Sequence, residues 1–232
     1  LRGALAVAVA LGLLAYALQS GRSALGPVGL ALGAWVVFGA LTDLWQRAGR
    51  GGISDKLGRL TRLGRADWGK ATAHGGLGVT IFAVAAMNAW AVEKITTAEI
   101  GGSFEVGSYS VLLKNVQELP GPNYTATTAE MVVSQAGVEI ATLYPEKRIY
   151  PVQAMPTTEA AIDYNLVRDL YLVIGDKQDS GGYAVRAYVK PFANWLWGGA
   201  LIMAIGGLLS LSDRRFRVAA GAKRAADAVA AE

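Results

Sequence analysis

The sequence predicts a mixed membrane protein in which four transmembrane α-helices carry one small all-β domain, inserted between the third helix and the fourth. Two observations support this fold class. The 232-residue chain is 53% hydrophobic and only 17% charged, which makes it more apolar than an ordinary soluble domain. The segment from 93 to 190 differs from the rest, because its acidic residues outnumber its basic ones and its β-branched residues alternate with polar ones.

Four apolar stretches approach the roughly 20 residues that a helix needs to cross a bilayer. They are Gly3 to Leu18, Ala24 to Leu44, Ala71 to Val92 and Phe192 to Leu211. The first stretch is short, residue 1 is a leucine rather than a methionine, and the apolar run begins without the charged start and small-residue cleavage site of a secretory signal. We therefore interpret the chain as the later part of a longer protein.

Lysine and arginine residues gather between the second and third stretches and again after the fourth. Because short basic loops stay in the cytoplasm, these positions set the orientation. The prediction is two transmembrane helices in 1–49, a basic cytoplasmic loop in 50–69, a transmembrane helix in 70–92, a periplasmic β-rich domain in 93–190, a transmembrane helix in 191–212 and a cytoplasmic tail in 213–232.

The basic loop has two interpretations. Leu57, Leu60 and Leu63 recur at helical spacing, which favours a helix lying on anionic headgroups. A solvated loop is the alternative, since Gly58 and Gly64 weaken a helix.

The segment from 93 to 190 has the pattern of short β-strands, which are separated by turn residues such as those at 120–123, 135–137 and 179–182. The predicted strands are Tyr109 to Leu119, Thr125 to Ser134, Val138 to Tyr144, Leu170 to Ile174 and Tyr183 to Val189. Five or six strands in such a length predict a small barrel or sandwich, with an OB-like barrel as the first choice.

His74 is the single histidine of the chain and lies near the cytoplasmic end of the third predicted crossing. Polar side chains at that depth are costly and are often functional. The imidazole is a candidate metal ligand or proton carrier, or a side chain that only hydrogen-bonds. Ala71, Gly75 and Gly78 remove bulk beside it, which permits the close approach of another helix or of a flat macrocycle.

One histidine does not complete a six-coordinate haem iron. Met87 lies 13 residues further along the same helix, about 20 Å away, so it cannot share an iron with His74. Met203 stays possible, and residues upstream of Leu1 or another subunit are simpler sources of a second ligand.

No catalytic residue is assigned, because the chain has no cysteine and no nucleophile with a base, no Walker loop and no dinucleotide fingerprint. Two charged clusters, Tyr144 to Tyr150 and Arg168 with Asp169, are best explained as solvated faces or salt bridges. The basic residues flank apolar stretches, so they do not indicate a nucleic-acid partner.

Seven stretches, in order, resemble the C-terminal part of the CcmF family, the haem lyase subunit of bacterial cytochrome c maturation. With the glycine-rich last crossing they cover Trp68 to Arg215. They are Trp68-Gly69, 73–76 (Ala-His-Gly-Gly), 121–124 (Gly-Pro-Asn-Tyr), 143–150 (Leu-Tyr-Pro-Glu-Lys-Arg-Ile-Tyr), 158–162 (Thr-Glu-Ala-Ala-Ile), 168–171 (Arg-Asp-Leu-Tyr) and 189–192 (Val-Lys-Pro-Phe), which leads to Trp195 and that last crossing.

The resemblance implies a multi-pass protein of the bacterial inner membrane that attaches haem to apocytochrome c by thioether bonds at Cys-x-x-Cys-His. It implies a CcmE-like haem chaperone and CcmH- or CcmI-like subunits as partners, besides membrane lipid. His74 falls where the family places one of two histidines that ligate a transmembrane haem b. The family's other histidines and its Trp-rich segment would lie upstream, so activity would need that part and the partners.

Two other functions stay open. One is a membrane-anchored scaffold whose periplasmic β-domain binds a partner protein without any cofactor. The other is a transporter subunit, which is disfavoured because Asp43, at the edge of a predicted crossing, is the main intramembrane charge.

Overall fold

A computed structural model describes residues 1–19, 23–152 and 155–213. The predicted tail therefore lies outside the described residues from position 214 onward, together with its basic residues. The chain divides into two compact units, one formed by 1–89 with 195–232 and the other by 90–194. The first unit is helical and the second is built of strands.

Within the described residues the helical unit has five helices. Their bounds are α1 (Arg2–Leu18), α2 (Leu25–Arg47), α3 (Ile53–Leu60), α4 (Arg65–Trp90) and α5 (Trp195–Leu211). Helix α3 is the helical alternative for the basic loop, and the Asp55 carboxylate caps its start by accepting a hydrogen bond from the Gly52 N–H at 3.3 Å. It ends at Leu60, so Leu63 lies in the turn that follows.

Among the described helices, α2 alone is both long and apolar enough to cross a membrane. Helices α1 and α5 are apolar but have 17 residues each, while α4 has 26 residues and is less apolar. The four-crossing topology therefore stays a prediction.

Glycines let α4 approach α2 and α5 backbone to backbone. A Cβ atom added at Gly76 would lie 2.6 Å from the Gly199 carbonyl oxygen of α5. On the α2 side, a Cβ atom added at Gly33 would lie 2.9 Å from the carbonyl oxygen of Gly78. Both distances are too short for any side chain, so these contacts require glycine.

The second unit has ten strands in the described residues. They are β1 (Val92–Ala98), β2 (Ser103–Val106), β3 (Tyr109–Pro120), β4 (Thr125–Gln135), β5 (Val138–Leu143), β6 (Glu146–Tyr150), β7 (Met155–Glu159), β8 (Ala161–Tyr164), β9 (Arg168–Lys177) and β10 (Tyr183–Pro191).

These strands form two antiparallel sheets. One has the order β1-β10-β9-β8, and the other has the order β2-β3-β4-β6-β7 with β5 paired to β4. Alternate residues of the central strands point into the space between the sheets, and the fully buried Leu113, Met131, Leu170, Leu172 and Ile174 fill it. Each such side chain stabilises the fold by about 1.5–3 kcal/mol relative to an exposed position.

The domain is thus a sandwich, the second of the two predicted architectures, and the OB-like barrel is wrong. A barrel closes one sheet on itself, whereas here the hydrogen bonds define two separate sheets. All five predicted strands are confirmed within a few residues at each end. Five further strands were not predicted from the sequence: β1, β2, β6, β7 and β8.

Candidate functional site

His74 lies on α4, and its imidazole is exposed at the helix surface. The Nδ1 atom is 2.8 Å from the backbone carbonyl oxygen of Lys70, one turn earlier. A carbonyl oxygen only accepts hydrogen bonds, so this contact requires the proton on Nδ1. In the neutral imidazole the lone pair is then on Nε2, which is the arrangement that metal-binding histidines use.

The imidazole borders a groove of about 280 Å³. Most of its lining comes from one side of α2 and from the first half of α4. The lining residues are Leu1, Trp35, Val36, Gly39, Ala40, Asp43, Lys70, Ala71 and His74. The groove is mainly apolar, so it suits a flat apolar ligand better than a small polar one.

Charged side chains occupy one end of this groove. The Lys70 ammonium lies 2.6 Å from the Asp43 carboxylate, which also accepts a hydrogen bond from the Arg47 guanidinium at 2.9 Å. Arg47 in turn contacts Asp67 at 2.9 Å. Two cations and two carboxylates thus balance each other, and they join α2 to the start of α4.

The small residues predicted beside His74 have different roles. Ala71 is buried and lines the groove, while Gly78 packs against α2. Gly75 has open space where a side chain would be, and it borders a second apolar groove on the other side of the contact between α2 and α4.

Met203, which the sequence left as a possible second ligand, packs on α5 against Gly76. Gly76 follows His74 by two residues, about 200° around the helix axis. Met203 and His74 therefore lie on nearly opposite sides of α4. Within the described residues, no group of three or more histidine and acidic side chains forms a further metal site.

The first charged cluster of the sandwich is an ion-pair group. The Arg148 guanidinium donates to the Glu146 carboxylate at 2.8 Å, contacts Glu159 at 3.4 Å and lies over the ring of Tyr124 at 4.6 Å. The hydrogen bond to Glu146 raises the pKa of Arg148 above its ordinary value. This arrangement joins β7 to β6.

The second cluster has a different pairing from the one that the sequence indicated. Arg168 is buried, with 9% of its surface exposed, and it forms an ion pair with Asp163 rather than with its neighbour Asp169. It also donates a hydrogen bond to the Tyr109 hydroxyl at 3.2 Å. Asp169 instead accepts a hydrogen bond from the Asn194 side chain at 2.9 Å. Asp163 and Tyr109 were missed because no local pattern links them to Arg168.

Comparison with known proteins gives consistent matches. Residues 89–191 match the family model described as the CcmF C-terminal β-sandwich. The cytochrome c-type biogenesis protein ccl1 of Rhodobacter capsulatus is 58% identical over 231 residues, which are 99% of this chain and 35% of that protein. The cytochrome c-type biogenesis protein CcmF of Escherichia coli is 37% identical over 205 residues, which are 88% of this chain and 30% of that protein.

A solved structure of a cytochrome c haem lyase CcmF matches this chain with a TM-score of 0.68 and 20% identity. The match covers 90% of this chain and 34% of the solved one, and at that identity it concerns the fold alone. The chain thus spans about a third of the length of the relatives that it matches.

Proposed function

Because the chain belongs to the CcmF family of cytochrome c biogenesis proteins, we propose that it forms part of a membrane haem lyase and that His74 is one axial ligand of a b-type haem. The reaction of the whole protein would be thioether formation between haem and the Cys-x-x-Cys-His thiols of apocytochrome c. This chain would contribute a haem site and the sandwich, while other parts of the protein supply the rest.

One observation supports the ligand role above the others. The hydrogen bond from Nδ1 to the Lys70 carbonyl leaves the Nε2 lone pair of His74 as the free donor atom, and the ring borders an apolar groove. A porphyrin needs such a combination of one imidazole nitrogen and apolar surface. The residues present therefore fit a haem.

Each side chain of the groove has a definable role in this proposal. Nε2 of His74 would bind the iron, and the fixed Nδ1 contact would hold the ring in one orientation. Trp35, Val36 and Ala40 would cover porphyrin surface and exclude water. A b-type haem, when bound, supplies one-electron redox chemistry.

The second axial ligand belongs, in this proposal, to a part of the protein outside this chain. His74 is the one histidine here, and Met203 lies on the opposite side of α4.

The transmembrane arrangement is also part of the proposal. Helices α1, α2, α4 and α5 would cross the bacterial inner membrane and place the sandwich in the periplasm, where a CcmE-like haem chaperone, CcmH- or CcmI-like subunits and apocytochrome c would bind.

Replacing His74 tests the ligand role in the intact protein. His74→Ala should remove or strongly reduce the b-type Soret absorbance of protein purified from membranes. Asn88→Ala is the matched control, since Asn88 is also an exposed polar residue of α4 whose side chain bonds the carbonyl one turn earlier, at Val84 and 3.0 Å. His74→Gly with added imidazole should restore part of the absorbance.

An unchanged Soret band in His74→Ala would refute the ligand role. If every preparation of the intact protein lacked haem while partner proteins co-purified through residues 93–190, the scaffold alternative would be correct instead.

A further inference from the structure

The last residue of β8 and the loop that follows it present apolar side chains outward. Tyr164, Leu166 and Val167, which we name the β8–β9 tip, keep 71%, 69% and 62% of their surface exposed. Grouped exposed apolar residues of this kind mark interaction sites more often than single ones do.

Hydrogen bonds hold the loop in this form. The Asn165 side-chain oxygen accepts from the backbone N–H groups of Val167 and Arg168, both at 2.8 Å, and the Asn165 N–H donates to the Arg168 carbonyl at 3.0 Å. Arg168 also donates to the backbone carbonyl of Asp163 at 2.8 Å. The tip is therefore displayed by an ordered loop.

The β8–β9 tip lies at the end of the sandwich where the chain both enters and leaves it. The Phe192 N–H donates to the Val167 carbonyl at 2.8 Å, and the Asn194 side chain donates to the Asn165 carbonyl at 3.0 Å. Asn194 directly precedes the first residue of α5. At the entry, Val92 pairs with Val189 near the end of β10, two residues after α4 ends.

The outer face of the sheet near this end carries the residue types of a membrane interface. Lys190 lies 4.8 Å from the ring centre of Tyr171 and 5.1 Å from that of Tyr188. Tyrosine and lysine are frequent at the boundary between hydrocarbon and headgroups, because they combine apolar bodies with polar ends.

We propose that the β8–β9 tip inserts into the headgroup region of the lipid bilayer and anchors this end of the sandwich there. The proposal rests on the membrane topology given above. Lipid is the favoured occupant because Phe192, which bonds Val167, is three residues before the apolar helix α5, and Val92 at the same end of the sandwich is two residues after α4.

A single fluorescent label on each of two residues tests the proposal in the intact protein. The chain has no cysteine, so Val167→Cys provides one thiol in it for the water-sensitive dye NBD, with cysteines elsewhere in the protein replaced. Ile100→Cys is the control, because Ile100 is 55% exposed and lies in the turn after β1, at the opposite end of the sandwich.

The labelled proteins are reconstituted in vesicles of phosphatidylethanolamine and phosphatidylglycerol. A doxyl-labelled phosphatidylcholine quenches from the bilayer and iodide quenches from water. If the tip inserts by about 5–10 Å, iodide should quench NBD fluorescence at position 167 about threefold less than at position 100. The doxyl lipid should quench the dye at position 167 and not at position 100.

Three results would overturn the proposal. They are equal iodide quenching at both positions, doxyl quenching at both positions, and protection of position 167 from iodide without doxyl quenching, which would indicate a protein cover. The Soret band of the same preparations reports the haem proposal separately, so a failure of either proposal can be distinguished from a failure of the other.

Discussion

Arg168 should stabilise the sandwich through an ion pair within one sheet and a hydrogen bond to the other sheet, and Arg168→Met tests the size of this contribution. The variant keeps an unbranched apolar stem but leaves the Asp163 carboxylate and the Tyr109 hydroxyl without their donor. Breaking a fully buried ion pair costs about 3–5 kcal/mol. Because the Asp163 side chain is 34% exposed, water takes over part of the role of the lost donor, and we expect a loss of about 2 kcal/mol.

Hydrogen exchange, measured by mass spectrometry on the intact, detergent-solubilised protein, reports this loss of stability for individual peptides of the sandwich. A loss of about 2 kcal/mol corresponds to about 30-fold faster exchange in peptides from β9. Tyr109→Phe is the comparison, since it removes one neutral acceptor and leaves the ion pair, for an expected loss of about 0.5–1.5 kcal/mol. The reasoning is refuted if Arg168→Met accelerates exchange no more than Tyr109→Phe does.

Three further predictions concern single side chains. Burial raises the pKa of the Asp169 carboxyl. The protonated carboxyl therefore stabilises the fold below the unfolded-state pKa, and this stabilisation is lost as the pH rises through the folded-state pKa. Asp169→Asn should reduce the fall of the unfolding midpoint over that pH range. Gly76→Ala should lower both the yield of folded protein and its haem content, because its Cβ would overlap the α5 backbone, whereas Gly75→Ala should leave both unchanged. Met131→Ala should destabilise the sandwich by about 2–5 kcal/mol, measured by the same exchange experiment.

The longer strands could be predicted because one face of each is buried and the other is not. In β9, buried Leu170, Leu172 and Ile174 alternate with residues that stay partly exposed, and that alternation is visible in the sequence. Strands β6, β7 and β8 lack it, whereas the missed strand β2, Ser103–Val106, alternates but has only four residues. None of the three strands β6, β7 and β8 has a fully buried residue, so their pairing partners alone define them.

The sequence also predicts where a polar residue lies in an apolar helix, but not what that residue faces. The position of His74 is evident from its neighbours, whereas its groove depends on α2, which supplies Trp35, Val36 and Asp43 from more than 30 residues away. The pairing of Lys70 with Asp43 is long-range in the same way. Helix-to-helix register is set by packing of the whole unit, and a single sequence contains no direct signal for it.

The packing of α4 explains how one exposed imidazole can have a fixed direction. Gly76 meets the α5 backbone on one side of α4, and Gly78 meets the α2 backbone on nearly the opposite side. Two glycine contacts on opposite sides leave the helix little freedom to rotate about its axis, since any rotation would move side chains into both neighbours. His74 lies one turn before Gly78, near the side of α4 that faces α2. The direction of the imidazole therefore depends on the glycine contacts that fix the rotation of α4. An imidazole placed in this way needs only its own helix carbonyl, from Lys70, to complete its orientation.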